Sequence, residues 1–96
     1  MLNGKQRSYL RGEGNSMDPL IHVGKDGVTD SVIEKADELL EDHELIKGRV
    51  LDNAPTEARE VAYELSDKTE ASVVQVIGSV FLIYRRNDEE PQYNLP

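Results

Sequence analysis

A chain of 96 residues with a net charge of −8 and no cysteine has room for one small domain, with neither a disulfide framework nor a thiolate metal site. The N-terminal run Met1-Leu2-Asn3-Gly4-Lys5-Gln6-Arg7 lacks the apolar core of a secretory leader. The longest apolar run, Val80 to Tyr84, is far below the ~20 residues that span a bilayer, so a soluble, cytoplasmic protein without a membrane partner is expected.

In chain order, Lys5 to about Gly12 reads as a short helix. Asn3 is its candidate cap, Gly12 and Gly14 are stop signals, and Tyr9 and Leu10 are its expected buried side chains. Asn15 to Asp18 is a loop, and Pro19 opens a short strand, Leu20-Ile21-His22-Val23. Gly24 to Gly27 forms a tight turn, after which Thr29 caps a helix from Asp30 to about His43. Val32, Ile33, Ala36, Leu39 and Leu40 make one apolar stripe along that helix. Asp30 and Glu34 lie near its positive end and His43 near its negative end, as the macrodipole favours.

A second strand runs from Leu45 to Leu51, with Lys47 and Arg49 on one side by the period of two. Asp52 or Asn53, followed by Pro55, is expected to open a helix from Thr56 to about Thr69, with Ala58, Val61, Ala62 and Leu65 as its stripe. Ser72 to Ile77 and Val80 to Arg85 are strongly β-prone and are joined by Gly78-Ser79, the signature of a tight hairpin. The order α-β-α-β-α-β-β predicts an α/β domain over residues 1–86, a four-stranded mixed sheet covered by helices. Residues 87–96 are acidic and proline-bearing, and are expected to fray as a flexible tail.

The unit that carries chemistry is strand, Gly24-Lys25-Asp26-Gly27, helix. Glycines let the turn adopt backbone conformations barred to other residues and let another backbone approach closely. The following helix begins with free N–H groups and a partial positive charge, which suits phosphate. Lys25 adds a mobile cation, and Asp26 places an opposing charge in the same loop. KH domains clamp a nucleic-acid backbone with a GXXG loop. Neither the phosphate loop GxxxxGK[ST] nor the dinucleotide fingerprint GxGxxG is present.

The charge is unevenly distributed. Residues 1–27 hold four cations (Lys5, Arg7, Arg11, Lys25) against three anions, whereas residues 28–96 hold seven against sixteen. An acidic protein can therefore present one basic face to an RNA backbone.

Several segments appear in order: Lys5-Gln6-Arg7 with Leu10-Arg11, Leu20 to Thr29, His43-Glu44-Leu45-Ile46-Lys47, Val74-Gln75-Val76-Ile77-Gly78, and Leu82-Ile83-Tyr84-Arg85. In this order they resemble the CRM (chloroplast RNA splicing and ribosome maturation) domain family, specifically its free-standing bacterial YhbY-like members. The likeness covers about Lys5 to Arg85. It implies an RNA-binding domain with a sheet like that of the C-terminal domain of translation initiation factor 3. It also implies association with precursors of the large ribosomal subunit. By the resemblance, the backbone clamp falls on Gly24, Lys25 and Gly27, with Asp26 inside the same loop, and a basic helix face on Lys5, Arg7 and Arg11; Lys47 and Arg85 lie in matched segments. Two positions depart from the family pattern: Asp18 stands before Pro19 where a lysine is usual, and Gly48 stands where a valine is usual.

Other chemistries fit less well. His22, alone in a strand, reads as a structural, hydrogen-bonded residue, and His43 as a helix-end residue. Glu34, Asp37, Glu38, Glu41, Asp42 and Glu44 read as a solvated acidic face, since paired-carboxylate catalysis needs a cleft. Lys35 and Arg59 read as members of surface ion pairs, and Tyr63 and Tyr84 as core. With no nucleophile-base pair and no metal set, a non-enzymatic monomer without cofactor is expected. The resemblance implies RNA as its partner, chiefly large-subunit ribosomal RNA, and the alternative is a module whose acidic surface docks a basic ribosomal protein.

Overall fold

The structure, a computed structural model, describes residues 2–96. Helix α1 spans Gly4–Gly14. Asn3 accepts the Gln6 N–H at 2.9 Å, and Gln6 accepts the Asn3 N–H at 3.1 Å, a reciprocal cap. The helix passes through Gly12 and ends only at Gly14. Leu10 is fully buried, but Tyr9 is 37% exposed, with its hydroxyl donating to Glu13. Tyr9 was expected inside; it is one residue out of phase with the face that meets the sheet.

Strand β1 is Ile21–Val23, and α2 is Asp30–His43, as the apolar period predicts. Strand β2 is Leu45–Val50, and α3 is Ala58–Thr69. Asp52 and Asn53 do not cap α3. They lie in a turn closed by the Ala54 N–H on the Leu51 carbonyl at 3.0 Å. Glu57 takes the cap position without a side-chain hydrogen bond. Strands β3 (Ser72–Ile77) and β4 (Val80–Tyr84) form the expected hairpin, with Gly78 in the left-handed region at φ +57°.

The four strands make one sheet in the order β1-β2-β4-β3. The β1–β2 pair is parallel and the other two are antiparallel, so the sheet is mixed. Side chains alternate between its two faces. Ile21, Val23, Ile46, Val50, Phe81 and Ile83 form one core with Ala36 and Leu40 of α2 and the buried stripe of α3. On the opposite face Leu45, Val74, Leu82 and Tyr84 pack with Leu10 of α1, and Leu2, Met17, Tyr93 and Leu95 close over them.

Gly48 lies directly across from Phe81 in the β2–β4 ladder. A Cβ at Gly48 would stand 2.2 Å from Phe81 Cζ, so the ring occupies the volume a side chain would need. The glycine that departs from the family pattern is thus matched by an aromatic side chain on the neighbouring strand.

The tail beyond Arg86 has no helix or strand, yet it is hydrogen-bonded to the domain. Glu44, fully buried at the end of α2, accepts the N–H of Asn87 at 2.6 Å and that of Tyr93 at 3.1 Å, and also the Gln92 N–H. Tyr93 meets the Tyr84 ring edge-on, with centroids 6.4 Å apart. Tyr84 is core, as expected, but Tyr63 is 53% exposed. The Arg59 guanidinium lies 5.3 Å from the Tyr63 ring centroid rather than pairing with an acid. No helix of the described residues is long and apolar enough to cross a membrane.

Candidate nucleic-acid interface

The Gly24–Gly27 turn joins β1 to α2 at the sheet end where the parallel strands finish. The Gly27 N–H donates to the Gly24 carbonyl at 3.0 Å, closing the turn. The two glycines have different reasons to be glycine. Gly27 is buried with φ +67°, and a Cβ there would press on Pro55 Cγ at 3.1 Å, so the fold itself demands it. Gly24 has no positive φ, and a Cβ would meet only ordinary contacts at 3.6 Å and beyond. The fold would accept a side chain at Gly24. Its absence leaves the backbone open to another molecule.

Lys25 and Asp26, at the tip, are both exposed. Thr29 then caps α2, its hydroxyl accepting the Val32 N–H at 3.2 Å. One of the free N–H groups of α2 is therefore already used, and Asp30 places an acid in the first turn. Asn53, from the β2–α3 turn, stands beside the loop, its Oδ1 3.6 Å from where a Gly24 Cβ would be. His22, Lys25, Thr29, Val32 and Asn53 line the shallow depression around the turn. His22 is exposed and makes no side-chain hydrogen bond among the described residues, contrary to its structural reading.

The other predicted contacts are not all brought to the loop. Lys47 is half-buried in β2 on the sheet face that α1 partly covers, with Arg49 exposed two residues on. Lys5 and Arg11 are exposed on α1. Arg7 donates to the Val73 carbonyl of β3 at 3.4 Å. Strand β3 is at the sheet edge opposite β1, so three strand spacings, about 14 Å, separate Arg7 from the loop's strand.

Arg85 lies at the other end of the sheet, just past the Leu45–Tyr84 pair. Its guanidinium pairs with Asp37 at 2.6 Å and Glu41 at 3.3 Å and donates to the Thr69 carbonyl at 2.9 Å. It ties α2 and α3 to β4 and has little capacity left for a phosphate. Lys5, Lys25, Lys47 and Arg49, by contrast, make no ion pair among the described residues. Arg49 and Asn53 are the residues sequence reasoning did not place at the site. The period of two that paired Arg49 with Lys47 was a usable signal for the first. Nothing local distinguished Asn53 from a helix cap. No group of three His, Cys, Asp or Glu among the described residues could hold a metal ion.

A mixed sheet with this element order is shared with a solved bacterial protein. The chain belongs to the CRS1/YhbY (CRM) domain family, whose model matches residues 2–85. It is 38% identical to the probable RNA-binding protein YqeI of Bacillus subtilis over 96 residues, covering 100% of both chains. It is 32% identical to an RNA-binding protein of Haemophilus influenzae, covering 99% of this chain and 95% of that one. The solution structure of SAV1595 from Staphylococcus aureus superposes with a TM-score of 0.84 at 43% identity, covering 100% of both chains.

Proposed function

We propose that this protein binds RNA, gripping the sugar-phosphate backbone with the loop Gly24-Lys25-Asp26-Gly27. The observation that carries this reading is Gly24: its bare backbone has no structural cause, and it stands beside the unpaired cation Lys25. The names of the relatives from Bacillus subtilis and Haemophilus influenzae, both described as RNA-binding, support it. Lys47 and the cations of α1, Lys5, Arg7 and Arg11, extend the basic surface. No step of catalysis, no cofactor and no second subunit enters the proposal.

The target we propose is ribosomal RNA in precursors of the large subunit, which makes the protein a cytoplasmic assembly factor; this rests on the family resemblance alone. Gradient fractionation is its test: the protein should sediment with immature large subunits and be scarce on translating ribosomes. A specific observation favours a second reading. Glu34, Asp37, Glu38, Glu41 and Asp42 are all exposed on α2, and that acidic face fits a basic ribosomal protein. Filter binding to structured RNA at two salt concentrations separates the readings. Neutralising about four phosphates predicts a slope of log K against log salt of about −3 to −4. A slope near zero, or no retention, favours the protein-docking alternative.

A further inference from the structure

The sheet face that carries α1 is only half covered. In the register of the strands, His22 of β1 stands beside Arg49 of β2, Arg49 beside Val80 of β4, and Val80 beside Ile77 of β3. Their chain neighbours Val23, Val50, Phe81 and Val76 point into the core under α2 and α3. All four of these side chains therefore stand on the opposite face, in one row across the whole sheet. Helix α1 and the tail cover the other end of that face, over Leu45, Leu82 and Tyr84. The row is largely open: His22 and Arg49 are exposed, Val80 is half-buried, and Ile77 is 65% exposed, the most of any large apolar side chain among the described residues.

We infer that an unpaired RNA strand runs from the Gly24–Gly27 loop across this row to the β3–β4 hairpin. The inference rests on the RNA-binding reading and adds a second contact surface to it. Continuity supplies the path, because His22 is two residues before Gly24 in β1. Charge supplies the partner. Arg49 and Lys47 make no ion pair among the described residues of a chain with net charge −8, so both keep their affinity for phosphate. Ile77 and Val80 supply the selection. They offer nothing to a phosphate but can lie against the flat faces of bases, which a duplex keeps stacked and hidden and a single strand exposes.

The test uses the full chain and two fluorescent probes, a twelve-nucleotide single-stranded RNA of mixed sequence and the same RNA annealed to its complement. The variants are Arg49→Gln, Ile77→Ser and Lys25→Asp, all at exposed positions, with thermal melting as the control for folding. Single-strand affinity should fall about threefold to tenfold in Arg49→Gln, with the salt slope shallower by about 0.7, the value of one phosphate on a single strand. Ile77→Ser should weaken single-strand binding by a similar factor without changing the slope, and should leave duplex binding alone. If Lys25→Asp weakens binding while Arg49→Gln and Ile77→Ser do not, the sheet inference is overturned and the loop reading stands. If the two sheet variants weaken binding and Lys25→Asp does not, the sheet holds RNA and the loop reading fails. If the wild type binds neither probe, both fall. If the sheet variants keep RNA affinity but lose a co-purifying basic protein, the row is a protein surface and the inference is overturned.

Discussion

The carboxylate of Glu44 accepts the backbone N–H of Asn87 at 2.6 Å, across 43 positions of sequence. Glu44 is fully buried and sits at φ +64° and ψ −48°, a positive-φ conformation unusual for its residue type. It is held there from both sides: its N–H donates to the Leu40 carbonyl at the end of α2, and its carbonyl accepts from Arg85 at 2.9 Å. The acid of the His43–Lys47 segment is thus a clasp for the C-terminal tail rather than part of an RNA face.

Ending the chain at Arg86 should leave that carboxylate without its N–H donors and strip Tyr93 and Leu95 from the second core. Stability should fall by about 1–3 kcal/mol, measured by urea unfolding, and Glu44→Gln in the shortened chain should recover part of the loss. In the full chain, the amides of Asn87 and Tyr93 should exchange with solvent more slowly than that of Asp88, whose N–H has no acceptor among the described residues. Equal exchange along the tail would show that the clasp does not hold in solution.

Gly48 and Phe81 should be coupled. Gly48→Val restores the residue usual in the family but drives its side chain into the Phe81 ring, so a loss of about 1–3 kcal/mol is expected from overpacking. Phe81→Leu also costs stability by itself, but in combination with Gly48→Val it should cost less than the sum. A double-mutant cycle should give a coupling of at least ~0.5 kcal/mol. Strict additivity would mean that the two positions do not share their volume.

Tyr84 predicts an alkaline limit. Burial pushes its phenol above the usual 10.0, with the Glu44 charge adding to the effect; burial also raises Tyr93, aided by Glu13. Below pH 10 this contribution to stability is complete. Above it the unfolded chain loses its phenolic protons first, so stability falls as pH rises through the folded-state values. Tyr84→Phe should flatten that fall. At neutral pH it should cost less than about 1 kcal/mol or be stabilising, because the Tyr84 hydroxyl is buried without a hydrogen-bond partner among the described residues. Thermal melts of both proteins from neutral to alkaline pH provide the check.

The parts of the fold legible in the sequence are those set by local period and turn chemistry. Helix α2 was bounded by Thr29 and His43 because its cap and apolar stripe agree, and the hairpin by the Gly78-Ser79 link between two β-prone runs. The start of α3 is not legible in the same way, because Asp52 and Asn53 serve caps and turns equally well. What sequence could not supply was long-range pairing. Arg85 looked like a free cation until Asp37 and Glu41 were folded against it, and Glu44 looked like surface acid until the tail met it. The loop was legible as a candidate site, but only the folded surroundings separate Gly27, which the turn requires, from Gly24, which it does not.

Asp26 should weaken the clamp it belongs to. It is exposed at the loop tip between the two glycines. At about 6 Å a carboxylate and a phosphate charge repel by roughly 0.7 kcal/mol in water and by more in a less polar crevice. Asp26→Asn removes the charge and keeps the shape, so RNA affinity should rise by about threefold to thirtyfold, equivalent to ~0.7–2 kcal/mol. Unchanged or weaker binding would place the phosphate away from this loop.

The most direct test of the loop as an RNA clamp is the affinity of Lys25→Asp for structured RNA, measured by filter binding across a salt series. Lys25 is exposed, so the melting temperature should stay within about 2–4 °C of the wild type, as for other surface substitutions away from packed or bonded groups. The clamp predicts weaker binding at every salt concentration and a slope shallower by about one phosphate contact. Wild-type affinity with an unchanged slope would contradict it, and the glycines of the turn would then serve only the path of the chain from β1 to α2.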